Sequence, residues 1–240
     1  KIRKNINSKV LTDSNKFKVL ISPHSFVDAP HVRGNLFFAD FYEWIIFLFK
    51  ISSQTNYEWY IKLHPDYLDF FDNTYYIIKN LIKKKYKTIT WIDPNISNKQ
   101  LSDEGINVVL TVHGSIGAEF PFFKVPVVNA SRNNPHIDYK FNENPLNSID
   151  YRKIIKKLHK IKNKINQKDL LEYFYMHYLY FDSSWMGEED MTKIITKYKG
   201  LKNLFRNKNM YKILNKEISD KKKIKIKLLL EKFFNTNNYS

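Results

Sequence analysis

The chain has 240 residues, with 40 Lys and Arg against 24 Asp and Glu, 7 His and no Cys, for a formal charge of +16. Its length suits one large domain or one and a half, since domains run to roughly 100–200 residues, and the lack of Cys excludes disulfides, a Cys nucleophile and an iron–sulfur cluster. Hydrophobic residues at 43% exclude wholesale disorder, and the longest apolar run, Trp44 to Phe49, is far short of the ~20 residues that span a bilayer.

Residues 1–16 are polar and aperiodic and read as a linker or arm. Phe17 to Ser22 is a short run stopped by Pro23, the pattern of a buried strand. From Phe37 to Ser52, apolar Phe41, Trp44, Ile45, Leu48 and Phe49 recur at helical spacing. Tyr57 to Leu63 is a second strand, ended by His64-Pro65. Tyr75 to Lys85 reads as a helix with Ile77, Ile78, Leu81 and Ile82 inward. Thr88 to Ile92 is a third strand, closed by Asp93-Pro94. A short helix over 98–104 ends at Gly105, a residue suited to a helix C-terminus. Asn107 to Val112 is a fourth strand opening into His113-Gly114-Ser115. A brief helix follows, and Val125 to Asn129 makes a fifth strand. Beyond Ser148 the pattern is helical, over 151–165, 169–181, 191–198 and 211–234. Lys223 to Lys227 alternates with period two, but its flanks favour helix.

Alternating strands and helices predict an α/β fold: a doubly wound parallel sheet with helices on both faces over 17–150, then a basic helical extension over 151–240. In such sheets ligands bind where the loops gather, at the carboxyl ends of the strands. Three loops there carry chemistry.

Tyr60-Ile61-Lys62-Leu63-His64-Pro65 ends a strand with a histidine whose backbone Pro65 holds extended. His64 can donate to a phosphate oxygen, and Lys62 points to the same side. A histidine closing the sheet edge onto a carbonyl is the plainer reading. His113-Gly114-Ser115-Ile116-Gly117-Ala118-Glu119 sets two glycines and a hydroxyl where a strand enters a helix, a place that attracts phosphate. Glu119 lies one turn after Ser115 and can accept hydrogen bonds from ribose hydroxyls. The glycine spacing is not the dinucleotide fingerprint. The loop from Pro23 to His31 packs His24, Ser25, Asp28 and His31 together, ahead of Arg33 and Gly34. A turn in which Asp28 and Ser25 cap the chain also explains it. Its spacing matches no known ligand set and no Asp-x-Asp pair occurs, so no metal is expected.

Lys62-Leu63-His64-Pro65, the segment from His113 to Glu119, and Lys124-Val125-Pro126-Val127-Val128 together resemble the nucleotide-binding half of GT-B glycosyltransferases. The resemblance is to those that build bacterial capsule and lipopolysaccharide, including Kdo and sialic acid transferases, and covers about residues 17–130. It implies a metal-independent transferase needing no cofactor, with a CMP- or NDP-linked nucleotide sugar as substrate and a lipid-linked or polysaccharide acceptor. His64, Ser115 and Gly114 would then meet phosphate with Lys62 nearby, and Glu119 the ribose. His24, Asp28 and His31 would face the donor, with Asp28 the one loop candidate for general base. Where the family has Gly before its final Pro motif, this chain has Lys124. The family also has an N-terminal domain that binds acceptor, whereas sixteen residues precede the first strand here. A chain opening on Lys rather than Met reads as a piece of something longer, active with an N-terminal domain or partner chain.

Charge is uneven, +4 over residues 1–149 and +12 over 150–240. Such density suits an anionic partner: the inner face of a bacterial membrane, with the protein peripheral and cytoplasmic, or nucleic acid bound by a basic α/β module. Lys without recognised nucleic-acid motifs disfavours the latter. Heavy Lys, Asn and Ile use throughout, as AT-rich coding produces, equally explains the charge. A sugar-nucleotide epimerase or an inactive transferase-like scaffold are further alternatives.

Overall fold

The computed structural model describes residues 6, 8–28, 34–65, 73–162, 164–180, 188–200, 203–204, 207–217 and 219–236. Five strands form one sheet: β1 (Lys18–Ile21), β2 (Glu58–Lys62), β3 (Ile89–Ile92), β4 (Val108–Thr111) and β5 (Val127–Asn129). Their order is β3-β2-β1-β4-β5 and every pairing is parallel. The register sets Val19 beside Trp59 and Val108, and Thr111 beside Asn129. This is the doubly wound, Rossmann-like α/β arrangement expected from the strand–helix alternation.

Helices cover both faces because strand side chains alternate. Val19, Ile21, Trp59, Ile61, Val108 and Leu110 point to one face, where they meet α1 (Phe41–Ser52), α2 (Thr74–Lys84) and α5 (Ser148–Ile155). Leu20, Tyr60, Val109 and Val127 point to the other, against α3 (Asn98–Asp103) and α4 (Ile116–Phe122). Helix α1 starts at Phe41, later than the apolar spacing suggested, because Asp40 caps it by accepting from the Glu43 N–H at 2.8 Å. Its buried Trp44 donates its indole N–H to the Tyr151 hydroxyl at 2.7 Å, tying α1 to α5. Burial there pushes the Tyr151 phenol well above its ordinary range. On α2, Ile78 is buried and Leu81 and Ile82 are half-buried, but Ile77 is exposed.

The segment read as a linker has a specific seat. Leu11 is buried in the second face's core. Glu104 accepts from the N–H groups of Val10 (2.8 Å) and Leu11 (2.7 Å), and Gln100 donates to the carbonyl of Ser8 (3.1 Å). Burial pushes the Glu58 carboxyl up, but donors from Thr12, Ser14 and Tyr60 more than offset this and hold it below its usual range.

The chain divides into two compact units, Lys1–Phe174 and Tyr175–Ser240. Residues 151–174, read from the sequence as the start of a basic extension, lie in the first. Tyr151, Ile155 and Leu158 join its core, and α6 (Gln167–Phe174) adds Leu170 and Tyr173 to a cluster with Ala118 and Phe141. The second unit holds a π-helical turn (Tyr175–Tyr180), α7 (Glu188–Lys197), α8 (Met210–Glu217) and α9 (Asp220–Thr236), which includes Lys223 to Lys227. Lys197 and Glu217 pair at 2.5 Å between α7 and α8. Among the described residues, no helix is long and apolar enough to cross a membrane.

Candidate functional site

Sheet order reverses between β1 and β4, so the loops leaving their carboxyl ends part and open a crevice. A cavity of about 240 Å³ lies there. His24 and Asp28 reach it from the loop after β1, Lys62 and His64 from the end of β2, and Gly114, Ser115 and Glu119 from the turn into α4. Seven of the eight residues singled out from the sequence thus share one pocket; His31 lies outside the described residues.

The loop after β1 is held before any ligand arrives. The Asp28 N–H donates to the Ser25 carbonyl (3.1 Å), and the Phe26 N–H to the hydroxyl of Thr74 at the start of α2 (2.8 Å). His24 is buried, and its Nε2 accepts from the His113 N–H at 3.3 Å, joining the loops after β1 and β4. With Nε2 as acceptor, a neutral His24 carries its hydrogen on Nδ1, which faces the exposed Asp28 carboxylate 3.9 Å away. The His24 ring also stacks on His113, centroids 4.0 Å apart, and on Phe41 at 5.0 Å.

The glycines of the His113-to-Glu119 segment make room for such rings. A Cβ on Gly114 would stand 3.3 Å from the His24 Cε1, and one on Gly117 would overlap the His136 Nε2. Neither glycine has a positive φ, so close approach rather than backbone conformation calls for them. His136 is fully buried, and Asn142 beside it donates to the Gly117 carbonyl at 2.7 Å. Ser115 is exposed at the head of α4 and its side chain makes no capping bond.

The opposite wall is polar and connected. Lys62 is buried, and its ammonium donates to the Asn98 Oδ1 at 3.1 Å. The Asn98 amide donates in turn to the Glu119 Oε2 at 2.5 Å. Beyond Lys62, His64 is exposed at the strand's end. Asn98, Thr111 and His113 escaped the sequence reading as site residues. His113 was visible in its motif, but nothing in the sequence marks Asn98.

Among the described residues, His24, Asp28 and His113 offer ligating atoms within 4.8 Å of one another. Ring nitrogens bind a metal in the plane of their own imidazole. The two rings stack only 19° from parallel, so their lone pairs do not converge, and one ring would have to turn to complete a cation site. At the far end of α4 the chain closes as a Schellman turn. Val125 donates to the Phe120 carbonyl at 3.0 Å and Lys124 to that of Pro121 at 2.9 Å. Lys124 takes φ +64° there, the conformation a glycine would favour.

No protein-family model matches the chain, and no curated protein does. Solved structures do, at fold level. One is KpsC, a beta Kdo 2,4 transferase from Thermosulfurimonas dismutans, at 14% identity and TM-score 0.46, covering 71% of this chain and 47% of that one. Another is the UDP-GlcNAc 2-epimerase of Methanocaldococcus jannaschii in complex with UDP-GlcNAc and UDP, at 16% identity and TM-score 0.42, covering 69% and 45%. A third is the wall teichoic acid polymerase TagF, at 14% identity and TM-score 0.36, covering 86% and 46%. The chain spans under half the length of each of these structures.

Proposed function

We propose that this chain is the nucleotide-sugar-binding part of a metal-independent glycosyltransferase acting in bacterial surface-polysaccharide synthesis. One observation supports this above all: residues from three separate loops, chosen for phosphate and ribose chemistry, line one pocket at the sheet's switch point. In this reading His64, Ser115 and the Gly114 turn receive the phosphate of a CMP- or NDP-linked sugar, with the Lys62 ammonium behind them. Glu119 takes the ribose hydroxyls. His24 works mainly as a brace, because its Nε2 is already engaged with the His113 backbone.

The reaction is displacement at the anomeric carbon. The acceptor oxygen forms the new bond as the carbon–phosphate-oxygen bond breaks, and the bonding pair leaves on the phosphate. Donors aimed at that developing charge lower the barrier without a Lewis acid. A carboxylate must take the acceptor's proton, and exposed Asp28, facing His24, is the candidate. A lipid-linked or polysaccharide acceptor needs a second wall across the crevice, so transfer requires an additional domain or a partner chain. The basic second unit suits an anionic membrane surface nearby.

Thermal-shift measurements against CMP, CDP, UDP and GDP test the reading without an acceptor, because a ligand that binds the folded state raises its melting temperature. At least one nucleotide is expected to raise it in proportion to the logarithm of concentration. No shift with any of them, alongside salt-dependent binding to nucleic acid, would replace this reading with that of a basic binding module.

A further inference from the structure

A second cavity, of about 420 Å³, shares no lining residue with the crevice. Five lysines line it, Lys153, Lys157, Lys160, Lys162 and Lys164, with Glu143 as the acid among them. The fold fixes where these lysines stand. Helix α5 stops at Ile155 and the chain turns at once. The Lys157 N–H donates to the Ile154 carbonyl at 2.9 Å, the Lys160 N–H to that of Lys157 at 2.9 Å, and the Ile161 N–H to that of Leu158 at 3.0 Å. Ile155 and Leu158 are fully buried and pin the turn to the core. Glu143 is anchored along β5, its N–H donating to the Val127 carbonyl at 2.8 Å and its carbonyl accepting from Asn129 at 3.1 Å.

We propose that this hollow is a second, anion-binding site, which takes a ligand carrying two or more adjoining phosphate groups. The proposal goes beyond the nucleotide reading and does not rest on it. The lining sets five positive charges against one negative. Among the described residues, ion pairing reaches only Lys153, whose ammonium stands 3.8 Å from the Asp150 carboxylate. Like charges gathered round one hollow repel, and salt screens them only partly over about 8 Å at physiological ionic strength. An anion of several charges relieves that repulsion and also accepts hydrogen bonds from the ammonium groups, which are donors only. A single phosphate can meet few of the five lysines, whereas adjoining phosphates can meet several at once.

Calorimetric titration with inorganic tripolyphosphate tests the site in the full chain. Wild type is compared with Lys157→Gln/Lys160→Gln, which removes two exposed charges from the hollow, and with Lys83→Gln/Lys84→Gln, which removes two exposed charges from α2. The first pair is expected to weaken binding about tenfold, the scale of losing two solvent-screened charge contacts, and the second to leave it within about twofold. Lys157→Arg/Lys160→Arg keeps the charges and is expected to keep the affinity. The tightest-binding nucleotide should hold its wild-type affinity in all three variants, which separates this hollow from the crevice. Sedimentation with phosphatidylcholine vesicles, with and without cardiolipin, distinguishes the sources of the phosphate. Cardiolipin-dependent binding that the Gln pair at 157 and 160 abolishes supports the site with a lipid headgroup as its occupant. Tripolyphosphate binding without any cardiolipin dependence supports it with a soluble one. No tripolyphosphate binding by wild type, or equal losses in both Gln pairs, would overturn the proposal and leave the nucleotide reading intact.

Discussion

The pocket's two walls use similar residue types to different ends. On the β1–β4 side, His24 and His113 are buried and stacked, and the glycines of the next turn exist to admit imidazoles. On the β2–α4 side, His64 is exposed, and Lys62, Asn98 and Glu119 form a polar chain along the cavity. A histidine or glycine in a motif therefore says little by its type alone. What decides its role is where the fold places it: the His24 ring is buried with its Nε2 bonded to a backbone N–H, while the His64 ring is exposed and lines the pocket.

The comparison breaks if the packed wall tolerates what only an open wall should. Gly117→Ala forces a methyl into the ring of fully buried His136, so the ring or α4 must shift. Overpacking of this kind costs about 1–3 kcal/mol, read as a lower urea midpoint with unchanged slope. Wild-type stability would mean that the His136 ring is not seated on α4. A smaller effect of opposite sign is expected at the other end of that helix. Lys124→Gly removes the penalty of a side chain in the left-handed region, worth about 1 kcal/mol, and should raise the urea midpoint. A lowered midpoint would show that the Lys124 side chain contributes more than its backbone strain costs.

These contrasts also mark how far the sequence could be read. All five strands were legible because each is a short run rich in apolar and β-branched residues bounded by turn residues, the pattern that burial on both faces imposes on β1, β2, β4 and β5. Gly105 announced the end of α3, and its φ of +99° bears that out. The same turn after α4 uses Lys124, so no glycine advertised it. The Gly-Ser-x-Gly pattern was visible, but the reason for its glycines was not. They answer to His24 and His136, residues brought in from other loops. Asn98 was hidden for the same reason. Its partners lie 36 and 21 positions away, and only the meeting of β2, α3 and α4 joins them.

The central claim is that the open wall receives a nucleotide phosphate at His64. Titrating the tightest-binding nucleotide into wild-type protein and His64→Ala, with melting temperatures measured alongside, tests it directly. The account predicts an affinity loss of about 1.5–3 kcal/mol, the scale of a hydrogen bond to a charged group, in a variant that still folds, because the imidazole is exposed at the strand's end. Wild-type affinity in a folded His64→Ala variant would contradict it.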